Sequence, residues 1–203
     1  LRKSAHAADA FSLPSLEMSP QPMAIMHDRR RGLQQRVSDV ASLESALAET
    51  SVGHIILSPG TYFLTAVLRV TRAVTIEAAV SGDATLDAQV CCTGSTNRSV
   101  IKVNTAQATA TVELIGLRIT GGFNSPYAGG LEIRRGHVTL SQVHVYNNRG
   151  TVGGGVYAPT STVTFQGCHI HSNHGLTGGG VVAPCLLSPS AASDPPSRST
   201  PVA

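Results

Sequence analysis

Residues Gly129 to Pro184 carry one pattern twice, and this duplication limits the chain more than any other feature does. Shifted by 25 residues, Val138-Thr139 falls on Val163-Thr164, His144 on His169, Asn148 on Asn173 and Gly150 on Gly175. The triplet Gly153 to Gly155 falls on Gly178 to Gly180, and Ala158-Pro159 on Ala183-Pro184, without a gap. A fixed period of this length, built from short segments and glycine turns, describes a unit that cannot bury its apolar side alone and must stack on its neighbours.

Inside each unit the hydrophobic period is two. Val143-His144-Val145 and Cys168-His169-Ile170 alternate apolar residues with imidazoles, and Val138-Thr139-Leu140 and Val163-Thr164-Phe165 alternate in the same way. One side of each segment therefore faces a core and the other faces water. A third segment, Leu131-Glu132-Ile133, recurs as Val156-Tyr157-Ala158 and Val181-Val182-Ala183, with Val156 and Val181 turned inward. Three strands per turn predict an all-β fold, a right-handed parallel β-helix of about five coils in which equivalent residues stand one inter-strand spacing apart, roughly 4.8 Å. A meander of antiparallel hairpins is the alternative, and the constant 25-residue register argues against it. Glycines at the corners supply positive φ, and Asn148 is expected to ladder with Asn173 at a bend where Asn tolerates the left-handed region.

The units extend upstream. Val112, Leu114, Leu117 and Ile119 fall on Val138, Leu140, Val143 and Val145 with a shift of 26, so one additional residue is expected in a bulging loop at GGFNSPYA, residues 121–128. Residues 1–37 mix Ser, Pro, Met and Arg without period and read as a disordered leader. Val40, Leu43 and Leu47 then recur at helical spacing behind Ser38 or Asp39, which predicts a short capped helix ending near Thr50. Laid across the open end of a stack, such a helix would cover unpaired strand edges. Short strands with turn residues follow through Leu86, the stack occupies residues 38–185, and SPSAASDPPSRSTPVA, residues 188–203, reads as the end of a disordered tail that starts at 186.

HIILSPGTYFL, LRVTRAVTIEA and ATLDAQ resemble the opening coils of the pectin lyase-like superfamily of right-handed parallel β-helices, in which a capping helix precedes a strand and a Pro-Gly-Thr-Tyr-like turn. The resemblance continues through TVELIGLRITGG and both repeats, over roughly residues 38 to 184. The GGG triplets, each with an Asn five residues before it, are also similar to the repeats of chlamydial polymorphic outer-membrane proteins.

The composition fits a narrow stack, with 41% hydrophobic residues, only 4% aromatic and no Trp. The net charge of +3 is concentrated in the leader, where Arg2, Lys3, Arg29, Arg30, Arg31 and Arg36 outnumber Asp9, Glu17 and Asp28. The remaining basic and acidic side chains balance, so no basic face invites nucleic acid. No run of 18 apolar residues spans a membrane. Cys168 alternates inward as a small core residue, whereas Cys91, Cys92 and Cys185 stay open between thiol and disulfide. Asn97-Arg98-Ser99 is a glycosylation sequon, meaningful in a secreted protein. The initial Leu1 leads us to expect a fragment or a processed product.

Members of the superfamily that cut acidic polysaccharides need paired carboxyl groups or a calcium site rich in carboxylates. Beyond residue 110 the sequence offers only Glu113, Glu132 and Asp194, while Asp83 and Asp87 flank an earlier turn, so neither arrangement is legible. The best candidate is an outward column of Arg118, His144 and His169, with His171 and Tyr146 beside it and His174 in the next turn. Imidazoles in a column can bind a ligand, coordinate a metal or take a proton; outward strand positions also need polar residues for no other reason than solvation. The GGG triplets lack the Lys and Ser/Thr of a phosphate loop and serve as corners. Tyr62, Tyr127, Tyr146 and Tyr157 are available to stack on sugars from the outer faces. The sequence thus leads us to expect an adhesin-like or carbohydrate-binding β-helix module at a cell surface or outside the cell. It has no assigned catalytic residue, metal or cofactor, its partner is a polysaccharide or surface glycan, and its open last coil allows self-association. A fragment of a polysaccharide lyase or glycoside hydrolase is the alternative, and a degenerate gene product a third.

Overall fold

A computed structural model describes residues 32–89, 97–124 and 126–183, all within the unit Arg31–Ala203. The predicted leader up to residue 31, Cys91, Cys92, Cys185 and the predicted tail lie outside the described residues.

Numbered in chain order, the strands form four sheets. A six-stranded sheet is ordered β1 (Leu33–Val37), β2 (Val52–Leu57), β5 (Val74–Ala78), β8 (Thr111–Ile115), β12 (His137–Ser141) and β16 (Thr162–Gln166). A second, the histidine sheet, is ordered β3 (Gly60–Phe63), β6 (Ala84–Asp87), β9 (Leu117–Thr120), β13 (His144–Tyr146) and β17 (His169–His171). A third, the tyrosine sheet, is ordered β4 (Leu68–Val70), β7 (Ile101–Asn104), β11 (Leu131–Arg135), β15 (Val156–Tyr157) and β19 (Val181–Val182). A short fourth sheet joins β10 (Phe123–Asn124), β14 (Arg149–Gly150) and β18 (His174–Gly175). Pairing between these strands is parallel throughout, and one isolated antiparallel bridge joins Arg98 to Phe123. Each turn of chain adds one strand to each long sheet, which makes a parallel, all-β solenoid of five turns from β2 to β19.

The period-two pattern becomes columns of core residues. Ile55, Ile76, Leu114, Leu140 and Phe165 stand in register in the six-stranded sheet. Tyr62, Leu86, Ile119, Val145 and Ile170 do so in the histidine sheet, and Leu68, Ile101, Leu131, Val156 and Val181 in the tyrosine sheet. All are buried except Ile170 and Val181 in the last turn, which are half-buried. Burial of each such side chain contributes about 1.5–3 kcal/mol, so the stack is held by many equal increments. Cys168 packs against this core, half-buried and with a free thiol. Tyr62, expected on an outer face, is 2% exposed, and its hydroxyl donates to Val37 O at 3.0 Å and Ser58 O at 3.1 Å.

The helix, α1 (Val40–Ala48), begins on Asp39, whose carboxylate accepts from Ser42 N at 2.8 Å while Ser42 Oγ accepts from Asp39 N at 3.4 Å. Leu43 and Ala46 are fully buried in the common core. Its C-terminal carbonyls, which have no partner within the helix, meet Arg72: Nε donates to Leu47 O, and Nη2 donates to Ala46 O at 2.9 Å and Glu49 O at 2.8 Å. The sequence reading starts the ordered body at residue 38, but β1 already occupies Leu33–Val37 and pairs with β2. Its alternation is weak because Gln34, Gln35 and Arg36 lie on an edge strand.

The extra residue predicted at 121–128 is placed by register. Phe123-Asn124 still pairs with Arg149-Gly150 at an offset of 26, whereas Leu131 pairs with Val156 at 25, so the addition falls in 125–130. Asn148 and Asn173 do ladder, but neither has positive φ. The left-handed residues are one position earlier, Asn147 (φ 52°) and Ser172 (φ 54°), below which Gly121 (φ 74°) occupies the same corner. Among the described residues no helix is long and apolar enough to cross a membrane.

Candidate functional site

The histidine sheet carries the column expected from the sequence. Thr61, Thr85, Arg118, His144 and His169 occupy the same outward position on five successive strands. The His144 and His169 rings are 4.7 Å apart at 41°, and one position along the strand Tyr146 and His171 stack at 5.5 Å and 6°. The column thus sets aromatic rings beside one another at one-strand intervals, tilted in the first pair and stacked in the second. Partial burial first, then His169, Arg118 and His171, hold the His144 imidazole below its ordinary pKa, so it is neutral near pH 7. His174 stands apart on β18, opposite Arg149. No group of three or more His, Cys, Asp or Glu side chains converges in a metal-binding arrangement among the described residues.

A second constellation, on the tyrosine sheet, was not legible. Arg69, Lys102, Glu132 and Tyr157 occupy one outward position on β4, β7, β11 and β15. Glu132, which the sequence shows only as an isolated carboxylate, is 3% exposed. Lys102 Nζ lies 3.2 Å from its Oε1, and Arg134 Nε donates to the same oxygen. Arg134 lies two residues along β11 from Glu132, hence on the same side of the strand, and the β11 register skips between Ile133 and Arg135. Oε2 accepts from Asn124 Nδ2 at 3.3 Å and lies 3.4 Å from Ser99 Oγ. The Arg134 guanidinium lies 3.8 Å from the Tyr127 ring centroid, and Tyr127 stacks on Tyr157 at 5.3 Å. Hydrogen bonding to Tyr127, then to Glu132, raises the Arg134 pKa further against the opposing effect of burial. Tyr127 and Tyr157 are thus half-buried members of an ion-pair cluster.

Above Glu132 lies a concavity of about 220 Å³, with Arg69, Arg98, Lys102, Asn124 and Tyr127 in its wall. Its rim includes the sequon, but the Ser99 hydroxyl is turned inward and donates to Ala128 O at 2.7 Å.

The six-stranded sheet corrects the reading that no two carboxylates stand on neighbouring rungs. Glu77 on β5 and Glu113 on β8 do so, two residues out of step, because Thr75 pairs with Glu113 and Glu77 with Ile115. His54 Nε2 is 2.8 Å from Glu77 Oε2, and Thr75 Oγ1 donates to Glu113 Oε2 at 3.0 Å. A sequence search confined to the regular repeats passes over this pair, since β5 lies upstream of them.

Comparison of the chain with protein-family models, curated proteins and solved structures finds no match.

Proposed function

We propose that the chain is a right-handed parallel β-helix module, of the pectin lyase-like type, that binds carbohydrate at a cell surface or outside the cell without turning it over. Right-handedness follows the strong general preference of parallel crossovers. The observation that carries the binding role is the straight outward column Thr61, Thr85, Arg118, His144 and His169. Hydroxyl, guanidinium and imidazole groups repeated at strand spacing, roughly 4.8 Å, make a periodic row of donors and acceptors suited to a periodic polyhydroxyl chain. Self-association through the last coil belongs to the same proposal, since β16, β17, β18 and β19 end their sheets among the described residues.

The test is a glycan-array screen of the full chain beside the His144→Ala/His169→Ala double variant, with turnover assays on uronic-acid polymers. Binding by the wild type that falls at least tenfold in the double variant, without turnover, supports the proposal. Binding that survives the double substitution unchanged refutes it.

One observation favours a hydrolase as the second reading. Two residues along a strand and one strand across place the Glu77 and Glu113 backbones about 8 Å apart, within the range over which two carboxyl groups flank a glycosidic bond with water between them. Turnover lost in both Glu77→Gln and Glu113→Gln would establish that reading over the first.

A further inference from the structure

Independently of the histidine column, we infer that the concavity above Glu132 is a binding site for an oxyanion, either a free one or one carried by a larger ligand. Three cations, Arg69, Lys102 and Arg98, line the concavity with one buried carboxylate, Glu132, and a fourth, Arg134, is paired with that carboxylate. Each cation has a different assignment. Arg134 is held by Glu132 and Tyr127. Arg98 is fixed by backbone carbonyls, with Nη1 donating to Thr65 O at 2.7 Å and Nη2 to Leu64 O at 2.8 Å and Ala88 O at 2.7 Å. These carbonyls fix the group without neutralising it, and its Nε is buried with no hydrogen-bond partner among the described residues. Lys102 is paired with Glu132 but keeps 30% of its side chain exposed. Arg69 lines the same concavity directly opposite Lys102 in the β4–β7 register and makes no salt bridge among the described residues.

A buried carboxylate paired with more than one cation is a poor device for stability, because desolvation of the ions offsets most of their attraction. It is an effective device for position: Glu132 fixes Lys102 and Arg134 while leaving the local charge positive. Arg69 supplies a planar fork and Lys102 a point charge across a cavity wide enough for a sulfate, a phosphate or the carboxylate end of one sugar ring. Asn124, whose amide donates to Ser99 Oγ at 2.8 Å, ties the loop wall to this floor.

The test titrates sodium sulfate, sodium phosphate and sodium glucuronate into the full chain at constant ionic strength in chloride, with heat of binding as the readout. Three proteins are compared: wild type, Arg69→Gln, and Arg36→Gln, which removes the same charge from an exposed position on the six-stranded sheet, outside both candidate sites. Saturable 1:1 binding of at least one probe, weakened at least tenfold in Arg69→Gln and unchanged in Arg36→Gln, is expected. Preference for glucuronate would identify a sugar carboxylate as the source, and preference for sulfate or phosphate a free or esterified oxyanion. Because Arg69 is exposed, loss of fold is not expected, and the melting curve of each variant checks it. Absence of saturable binding by all three probes, or equal weakening in Arg69→Gln and Arg36→Gln, overturns the inference. The histidine-column proposal is read by His144 and His169 variants, so either can fail alone.

Discussion

Asn148 and Asn173 are joined across one rung, Asn148 Nδ2 donating to Asn173 Oδ1 at 3.1 Å and Asn148 N to the same oxygen at 3.0 Å. The lower amide is heavily used: its Oδ1 accepts from Gly122 N at 3.0 Å, and its two Nδ2 protons are shared among Asn173 Oδ1, Ile119 O and Tyr146 O. Asn148 is 1% exposed. Replacement by Ala leaves several buried backbone groups unpaired and is expected to cost about 3 kcal/mol. Asn173→Ala, in the half-buried last turn, is expected to cost about 1 kcal/mol. Urea denaturation would read both as a lower midpoint with unchanged slope.

The glycine triplets give a sharper contrast. A Cβ on Gly155 would meet Gly180 O at 2.8 Å, whereas one on Gly180 finds nothing nearer than Ile170 Cγ2 at 3.9 Å among the described residues. Only the first member of each triplet, Gly153 or Gly178, needs positive φ. Gly155→Ala is expected to lower the melting temperature by several degrees, and Gly180→Ala to leave it within about 2 °C. Equal effects would show that the repeats are not stacked in this register.

Arg72 ties the helix to the solenoid through three carbonyls. Arg72→Ala is expected to destabilise by about 2 kcal/mol, since hydrogen bonds from a charged donor are worth about 1.5–3 kcal/mol net. Lys cannot span the three acceptors with one planar group, so Arg72→Lys should recover less than half. Hydrogen exchange at the amides of Leu43 and Ala46 would show the same order.

The neutral state of His144 predicts a pH dependence of stability. Its folded pKa lies below the ordinary 6.5, so the unfolded chain binds the proton more readily, and stability rises with pH through the interval between the two values. Lowering pH from 7.5 through 6.5 should therefore begin to reduce the melting temperature, with this contribution fully lost once pH passes below the folded pKa. His144→Gln should show a smaller decline over the same range. A decline unchanged by the substitution would assign the effect to other groups.

The solenoid and its histidine column were legible because two or three turns have nearly equal length. Val143-His144-Val145 and Cys168-His169-Ile170 can be laid together by eye, and the paired strands are the ones so aligned. Upstream, the turns differ: His54 pairs with Thr75, yet Val74 pairs with Val112. No fixed offset brings Arg69, Lys102 and Glu132 together, so the charged cluster could not be seen without strand register. Burial was equally hidden for Tyr62, whose hydroxyl is accommodated inside by two carbonyls. The corner conformation was displaced by one residue because the amide of Asn148 bonds across the rungs while its neighbour Asn147 makes the bend.

The floor and the walls of the Glu132 concavity come from different kinds of chain. Lys102 and Glu132 sit on strands whose register the core imposes, whereas Asn124 borders and Tyr127 lies within the segment in which one residue is added relative to the next turn. Substitution or lengthening within 125–130 can therefore reshape the opening without moving the charges beneath it. A lineage of such proteins could vary what fits while conserving the attraction, so that shape and charge diverge as separately heritable traits.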